Sequence, residues 1–203
     1  MRILPTAWKT CGSCILLLLL SPVAAVQAFD GDRQGFALGF GAGVSPLARL
    51  RGTDAGAELT ENAIGWGGSF AVGWGFTAND LIMFGNNLAG FSSSLYGDSS
   101  LQTFTGISWQ HYFGPPGRAF YLTAGYGTYA YDWHGSRHYI CWGDDCNPPP
   151  RLPRGGTIGA LIGGGYEFAR HLQVGAYVAR SFPENDADFS FVHANILLQY
   201  TWY

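Results

Sequence analysis

The last twelve residues, VHANILLQYTWY at positions 192–203, alternate between two kinds of side chain. One set is apolar: Val192, Ala194, Ile196, Leu198, Tyr200 and Trp202. The interleaved set is His193, Asn195, Leu197, Gln199 and Thr201. A period of two residues is the pattern of a β-strand with one apolar face. These residues therefore predict a strand, and the rest of the sequence indicates what its apolar face contacts.

Composition argues against an ordinary water-soluble surface. The chain has 203 residues, of which 16% are aromatic and only 12% are charged, whereas about a quarter are charged in a typical soluble domain. After the first apolar run, no stretch of about 18 apolar residues follows, so the sequence does not predict transmembrane helices. A single all-β domain is the class that these observations favour.

The N-terminal segment has the features of an export signal. Arg2 and Lys9 precede the apolar run CILLLLLSPVAAV, and small residues occupy the cleavage positions before Phe29. We therefore predict a signal peptide at residues 1–28 and a barrel domain at residues 29–203. An uncleaved membrane anchor is the alternative interpretation of this segment.

Charge excludes one class of partner. The predicted mature chain has 9 arginines, no lysine and 14 acidic residues, a net charge of −5 (9 − 14). Because nucleic-acid binding depends on neutralising phosphates with basic residues, nucleic acid is not an expected partner. No cofactor or resident metal is predicted either.

Apolar alternation recurs in eight segments, most of them about 9–13 residues long, which is the length that a tilted strand needs to cross a bilayer. The segments are 35–44, 64–76, 80–88, 101–113, 119–131, 156–168, 172–181 and 192–203. The register of the third and fourth segments is ambiguous, because the third is apolar on both faces and Phe104 and His111 interrupt the fourth.

The predicted connections alternate in length. Residues 45–62, 89–100, 132–155 and 182–188 are longer and polar, whereas TAND, GPPGR and ARH are tight turns. Outer-membrane barrels have short periplasmic turns, longer extracellular loops and an even number of strands. A strand in hydrocarbon must also have its backbone groups paired, so a spanning sheet has to close. The sequence therefore predicts an eight-stranded antiparallel transmembrane β-barrel, in which the last strand pairs with the first.

Four stretches, GFALGFGAG, GWGFTANDLIMFGNN, ISWQHYFGPPGRAFYLTAGYG and GALIGGGYEFARHLQVGA, resemble the small outer-membrane β-barrel family of Gram-negative bacteria, with OmpA/OmpX-type architecture. The resemblance rests on strand and turn patterns and implies fold and location. The C-terminal strand also resembles the signal that such barrels present to their insertion machinery, although Tyr203 follows the usual final aromatic position. The expected partners are outer-membrane lipids, including lipopolysaccharide, and that machinery; a monomer is expected.

Strand periodicity also divides the side chains between the two faces of the barrel. The residues predicted to face lipid are Trp66, Phe70, Trp74, Ile107, Trp109, Ile162, Val174, Ile196, Leu198, Tyr200 and Trp202. The polar residues predicted to face the lumen are Gln102, Gln110, Tyr121, Tyr131, Glu167, His193, Asn195 and Gln199. An eight-stranded barrel is only wide enough for side chains to fill it, so these residues favour a plug, with Arg170 or Arg180 as candidate ion-pair partners of Glu167. A soluble barrel with an apolar interior is the alternative, but the many glycines on one face do not suit it.

The third long connection contains YDWHGSRHYICWGDDC. Cys141 and Cys146 are the only cysteines of the predicted mature chain, and in an oxidising compartment they are expected to form a disulfide. A metal site that includes His134 and His138 is the alternative, although the spacing does not match a known zinc pattern.

Three functions remain open. The sequence favours a structural or surface-interaction protein that works through its extracellular loops, and a small passive channel is the first alternative. The second is a lipid A-modifying hydrolase. The lipid A 3-O-deacylase family has a His-x-Ser-Asn motif, but Asn195 stands here two residues after His193 and cannot act as a nucleophile. His134 and Ser136 have the spacing of the motif but lack the Asn that follows.

Overall fold

The computed structural model describes residues 33–54, 57–93, 99–134, 157–182 and 189–203. They form one closed barrel of eight antiparallel strands, in which chain neighbours pair and the last strand pairs with the first. The strands are β1 (Gly35–Asp54), β2 (Ala57–Gly75), β3 (Asp80–Ser92), β4 (Ser99–Phe113), β5 (Ala119–His134), β6 (Thr157–Ala169), β7 (Leu172–Ser181) and β8 (Ser190–Trp202). The predicted fold is confirmed.

Across the described ranges, no helix is both long and apolar enough to cross a membrane.

The stagger of the strands is visible in the register. The partner of each residue on the next strand can be followed around the barrel, starting from Leu172 of β7. The path passes through Tyr200 of β8 and Phe40 of β1, continues across β2 to β5, and reaches Ile158 of β6. Ile158 accepts a backbone hydrogen bond from Phe182, which lies ten residues further along the chain than Leu172 (172 to 182). A stagger of this kind requires strands that are tilted from the barrel axis by about 35–45°. Residues that pair in succession around the barrel therefore lie at gradually changing heights along the barrel axis.

The period of two separates an apolar outer face from a mixed inner face. On β7, Val174 and Val178 are exposed, whereas Gln173 and Tyr177 are buried. The structure also settles the two ambiguous strands. Leu81, Met83 and Asn87 of β3 point inward and Ile82 and Phe84 point outward, and Phe104 of β4 is buried inside.

One predicted connection is wrong. The sequence predicts a longer polar connection at residues 45–62, but β1 and β2 continue through most of this stretch. A β-bulge between Ser45 and Ala48 leaves Pro46 outside the ladder, so the missing N–H of proline does not break the strand. Ser45 Oγ donates to the carbonyl of Ala194, at 3.0 Å, within this bulge. The bulge interrupts the alternation of apolar residues along β1, and an interrupted alternation resembles the pattern of a loop.

The two ends of the barrel differ. At the end that we call the turn end, residues 76–79, 114–118 and 170–171 connect the strands, and β1 begins and β8 ends here. Gly114 and Gly117 have φ values of 141° and 85°, a conformation that favours glycine. The opposite end, which we call the loop end, has the other connections. There, β1 beyond Arg51 pairs with β2 alone, so the β1–β2 hairpin extends beyond the neighbouring strands.

Candidate functional site: the barrel interior

The eight polar residues that were predicted to face the lumen all have interior positions. Seven of them are buried, and Gln199 is half-buried beside an internal cavity. Two of their hydrogen bonds cross the barrel between β5 and β8, from Tyr129 to His193 and from Tyr121 to Gln199, and outward-facing side chains could not form them. The interior groups can be described as three layers, from the turn end to the loop end.

The layer at the turn end, which we call the basal plug, is built around an ion pair. Arg33, just before β1, and Glu167 of β6 are both fully buried, with Arg33 Nη2 2.5 Å from Glu167 Oε2. Arg33 Nε also donates to this oxygen, at 3.2 Å, and Nη1 donates to the carbonyls of Ala78 and Gly114. The guanidinium lies 3.8 Å from the ring centroid of Tyr112, a cation–π contact. Every nitrogen of the Arg33 guanidinium therefore has an acceptor.

The second oxygen of Glu167 is also occupied. Glu167 Oε1 accepts from the backbone N–H of Gly117, at 2.8 Å, and from the hydroxyl of Tyr203, at 2.5 Å. Burial raises the pKa of Tyr203, and the Glu167 carboxylate raises it further, so the phenol stays protonated and donates. Arg170 and Arg180, the predicted partners of Glu167, are both exposed, and Arg33 is the partner instead. The prediction failed because Arg33 precedes the first strand and belongs to no periodic pattern.

The middle layer is a network of tyrosine and glutamine side chains. The hydroxyl oxygens of Tyr121 and Tyr177 lie 2.6 Å apart, and both lie within hydrogen-bond distance of Gln199 Oε1. Because each hydroxyl has one proton, two of these three contacts are hydrogen bonds at any one time. Gln199 Nε2 continues the network to Ser69 Oγ, at 3.1 Å. Tyr112 connects this layer to the basal plug. Its ring contacts the Arg33 guanidinium, and its hydroxyl accepts from Gln110 and donates to Gln173, which in turn donates to Gln199.

Inward glycines make room for these rings. A Cβ on Gly175 would lie 2.0 Å from the hydroxyl oxygen of Tyr121, and one on Gly163 would lie 2.5 Å from Cδ1 of Tyr177. Because real Cβ atoms do not approach so closely, these positions accept the tyrosines only as glycines. The inward glycines of β6 and β7 therefore leave room for Tyr121 of the adjacent strand β5 and for Tyr177 of β7 itself.

A small cavity lies beside the middle layer. Its volume is about 70 Å³, and Met83, Phe104, Gln110 and Gln199 are among the residues that line it. A space of this size has room for on the order of five water molecules. Both polar and apolar groups line it, so it can hold ordered water molecules.

The layer nearest the loop end contains the predicted residues Gln102, His193 and Asn195. The hydroxyl of Tyr129 lies 2.7 Å from Gln102 Oε1 and 2.6 Å from His193 Nδ1. His193 Nε2 lies 2.9 Å from Asn87 Oδ1, which also accepts from Asn195 Nδ2 at 2.7 Å. All the polar groups of this layer are uncharged amides or hydroxyls, apart from the imidazole of His193.

Aromatic rings cover this layer on the loop side. Phe191 stacks on Tyr129 and on Tyr131, with centroids 5.9 and 5.1 Å apart, and Phe91 contacts Tyr131 at 6.5 Å. The hydroxyl of Tyr131 donates to Ser100, at 3.1 Å. The interior is thus filled above the cavity as well as below it.

The outer face carries the residues predicted to contact lipid. Ten of the eleven are 43–62% exposed, and Tyr200 is half-buried because it stacks on Phe40 and contacts His171. The exposed ten are Trp66, Phe70, Trp74, Ile107, Trp109, Ile162, Val174, Ile196, Leu198 and Trp202. Such a large exposed apolar surface is unusual for a soluble monomer.

Several predicted features lie outside the described residues. Cys141 and Cys146, their predicted disulfide, Ser136 and His138 all fall in residues 135–156, and the side chain of His134 is not described either. Within the described ranges, no cluster of three or more His, Cys, Asp or Glu side chains could hold a metal ion. The disulfide therefore stays a prediction.

His193 and Asn195, two of the four residues compared with the hydrolase motif, lie inside the barrel. His193 and Asn195 are buried, and the contacts of the His193 ring are with Tyr129 and Asn87. A lipid-modifying base would have to face the outer rim. The geometry instead gives His193 a place in the hydrogen-bonded interior.

Sequence reasoning missed part of the interior. Tyr112 shares the parity of Gln102 and Gln110 on β4, and Gln173 and Tyr177 have the parity opposite to that of the lipid-facing Val174 on β7, so the alternation contained a signal for all three. Asn87 lay on the strand whose register was ambiguous. Arg33 and Tyr203 lie just outside strands, where periodicity gives no information.

Comparison with solved structures supports the fold. The Neisserial surface protein A structure has a TM-score of 0.50 and 12% identity, and the match covers 82% of this chain and 97% of that one. Ail, the attachment invasion locus protein of Yersinia pestis, matches with a TM-score of 0.45 and 12% identity over 83% of this chain and 99% of that one. OprG from Pseudomonas aeruginosa matches with a TM-score of 0.44 and 14% identity over 86% and 99% of the two chains.

No family model matches the sequence, and no curated protein matches it. At these identities the similarity is one of fold: the chain folds as the eight-stranded barrel found in outer-membrane proteins.

Proposed function

We propose that this chain is an integral outer-membrane protein with a closed interior, which acts through the surface that its loop end presents to the outside of the cell. The observation that carries the proposal is the filled interior. The basal plug and the layer around His193 close the barrel on either side of a cavity of about 70 Å³. With its apolar outer face, such a barrel suits a membrane anchor better than a conduit.

The β1–β2 hairpin supports a role at the surface. It extends beyond the neighbouring strands, and its outer positions include Arg51, Thr60 and Asn62, which are exposed and polar. A paired hairpin presents these side chains in a fixed order, as a binding surface requires. We assign structural or surface-interaction activity to this end.

Conductance tests the closed interior. The refolded protein is first checked for the faster gel migration of a folded barrel in unheated samples and then measured in planar lipid bilayers. We expect no resolved openings. Steady openings from folded protein would overturn the closed interior and would establish the small channel instead.

Epitope insertion tests the orientation. A short tag between residues 55 and 56 should be labelled by antibody on intact cells. The same tag between Pro115 and Pro116, in a turn at the opposite end, should be labelled only after permeabilisation. Labelling of the second tag on intact cells would contradict the proposed orientation.

A further inference from the structure

Three arginines lie on the outer face near the loop end. They are Arg49 and Arg51 of β1 and Arg180 of β7, and all three are exposed. Arg49 and Arg180 are both paired with Val192 of β8, one from each side. We call these three residues the arginine face.

The register places the three stems close together. Neighbouring strands lie about 4.8 Å apart, so the Cα atoms of Arg49 and Arg180 are about 10 Å apart across β8. Arg51 is the next outward position on β1, about 7 Å further along the strand. Side chains as long as arginine can therefore direct their guanidinium groups to one multiply charged anion.

Part of the arginine face is already oriented. Arg49 Nε donates to Asn62 Oδ1, at 2.7 Å, which leaves its two terminal nitrogens for another acceptor. The side chain of Arg180 makes neither a hydrogen bond nor an ion pair with any residue that the structure describes. Glu61, a carboxylate on the neighbouring strand, points inward and accepts from Ser93. Among the described side chains, no carboxylate forms an ion pair with Arg49 or Arg180.

The position relative to the apolar surface suggests the source of the anion. On the outer face, Arg180 stands between Val178 and Phe182, both exposed and apolar. An arginine at the edge of the apolar band extends its charge toward the headgroups, and its planar fork matches phosphate in a bidentate manner. A cation is tolerated near the interface, whereas it is costly at the bilayer centre.

We infer that the arginine face binds the phosphate groups of a lipopolysaccharide headgroup in the outer leaflet. This inference rests on the proposed function, because only an outer-membrane barrel with its loop end outside would meet that lipid. Clustered basic residues beside a membrane surface are the expected signature of an anionic-lipid site. The predicted mature chain is acidic overall, with 9 arginines against 14 acids, so this local positive surface is not a consequence of net charge.

Titration of folded protein with purified lipid A tests the inference. Full-length mature protein in zwitterionic detergent is titrated with bisphosphorylated lipid A, and binding is followed by native mass spectrometry. Replacement of Arg49 and Arg180 by glutamine should weaken binding about ten-fold, since charge-assisted hydrogen bonds are lost. The matched control replaces two exposed arginines of the turn end, Arg118 and Arg170, by glutamine and should leave binding unchanged.

Two further lipids separate phosphate recognition from general attraction to anions. Fully dephosphorylated lipid A should bind the wild type weakly, with the affinity that bisphosphorylated lipid A has for the R49Q/R180Q variant. Phosphatidylglycerol should bind the wild type and the variants with similar affinity. Equal loss in the test and control variants would reduce the effect to net charge and overturn the inference, as would unchanged binding of R49Q/R180Q. If the tag between Pro115 and Pro116 is exposed on cells, the proposed function fails; if orientation is correct and the variants bind alike, only this inference fails.

Discussion

The two ends of the barrel interior satisfy their buried polar groups in different ways. At the turn end, Arg33 and Glu167 form a fully buried ion pair in which every hydrogen-bonding group has a partner. In the layer around His193, the amides and hydroxyl carry no charge, and the buried carboxylate of Glu61 lies outside this layer, where it accepts from Ser93. A buried charge that loses its partner is far more costly than a buried amide that loses one hydrogen bond. The comparison therefore teaches that stability should be more sensitive to changes in the basal plug than to changes in the layer around His193.

Removal of the carboxylate should have the largest effect. Glu167→Met leaves the Arg33 guanidinium buried without its counter-ion, and we expect a loss of about 3–5 kcal/mol in the free energy of unfolding. Urea unfolding of the protein in lipid vesicles, followed by tryptophan fluorescence, measures it. The double variant Arg33→Met/Glu167→Met removes both charges and should recover most of the loss. If the double variant is as unstable as the single one, the ion pair is not the source of the sensitivity.

A charge on the outer face comes next. Ile196 lies at the centre of β8 and is 48% exposed, so Ile196→Arg places a charge in mid-bilayer at a cost of about 2–4 kcal/mol. Ser190→Arg, on the same face at the loop end of the same strand, is the matched control and should cost about 0–1 kcal/mol. Folding yield and urea unfolding in vesicles compare the two. Equal behaviour would mean that Ile196 does not face hydrocarbon.

One chemical change can be made at both ends. Tyr203→Phe removes a hydrogen bond to the carboxylate of Glu167 and should cost about 1.5–3 kcal/mol, whereas Tyr129→Phe removes bonds to neutral partners and should cost about 0.5–1.5 kcal/mol. The same unfolding assay ranks them. A larger loss for Tyr129→Phe would reverse the contrast between the two ends.

Periodicity predicted most of this architecture because a closed barrel imposes strict alternation. The bounds of β7 agree with the sequence prediction at both ends, and the facing of β5 and β8 follows from simple parity. The failures occur where the period is broken. The bulge at Ser45 and Pro46 shifts the parity of β1, so the outward positions change from even numbers, such as Val44, to odd numbers, such as Arg49.

The ion pair could not be predicted for a different reason. Arg33 and Glu167 are 134 residues apart, and Arg33 lies in a short segment before β1 whose course no local rule specifies. The position of Tyr203 could not be predicted for the same reason, because this residue follows the last strand residue and turns inward to Glu167. Alternation determines which face a strand residue takes, but it contains no information on how chain segments beyond the strands fold back into the lumen.

The smallest expected effect lies at the cavity between the two ends. Gly39 lines this space, and a Cβ there would meet its nearest neighbour, Thr201 Oγ1, at an ordinary 3.6 Å. Gly39→Ala should therefore stabilise the barrel slightly, by about 0.4–1 kcal/mol, because alanine reduces the conformational freedom of the unfolded chain. Gly41, two residues along the same inward face, is the matched position, and a Cβ on it would lie 2.5 Å from Cγ of Gln199. Gly41→Ala should destabilise, because Gln199 holds the hydroxyls of Tyr121 and Tyr177 and cannot move without breaking those bonds. If both substitutions destabilise equally, the cavity is not available to a methyl group, and the interior is packed as tightly in the middle as it is at the turn end.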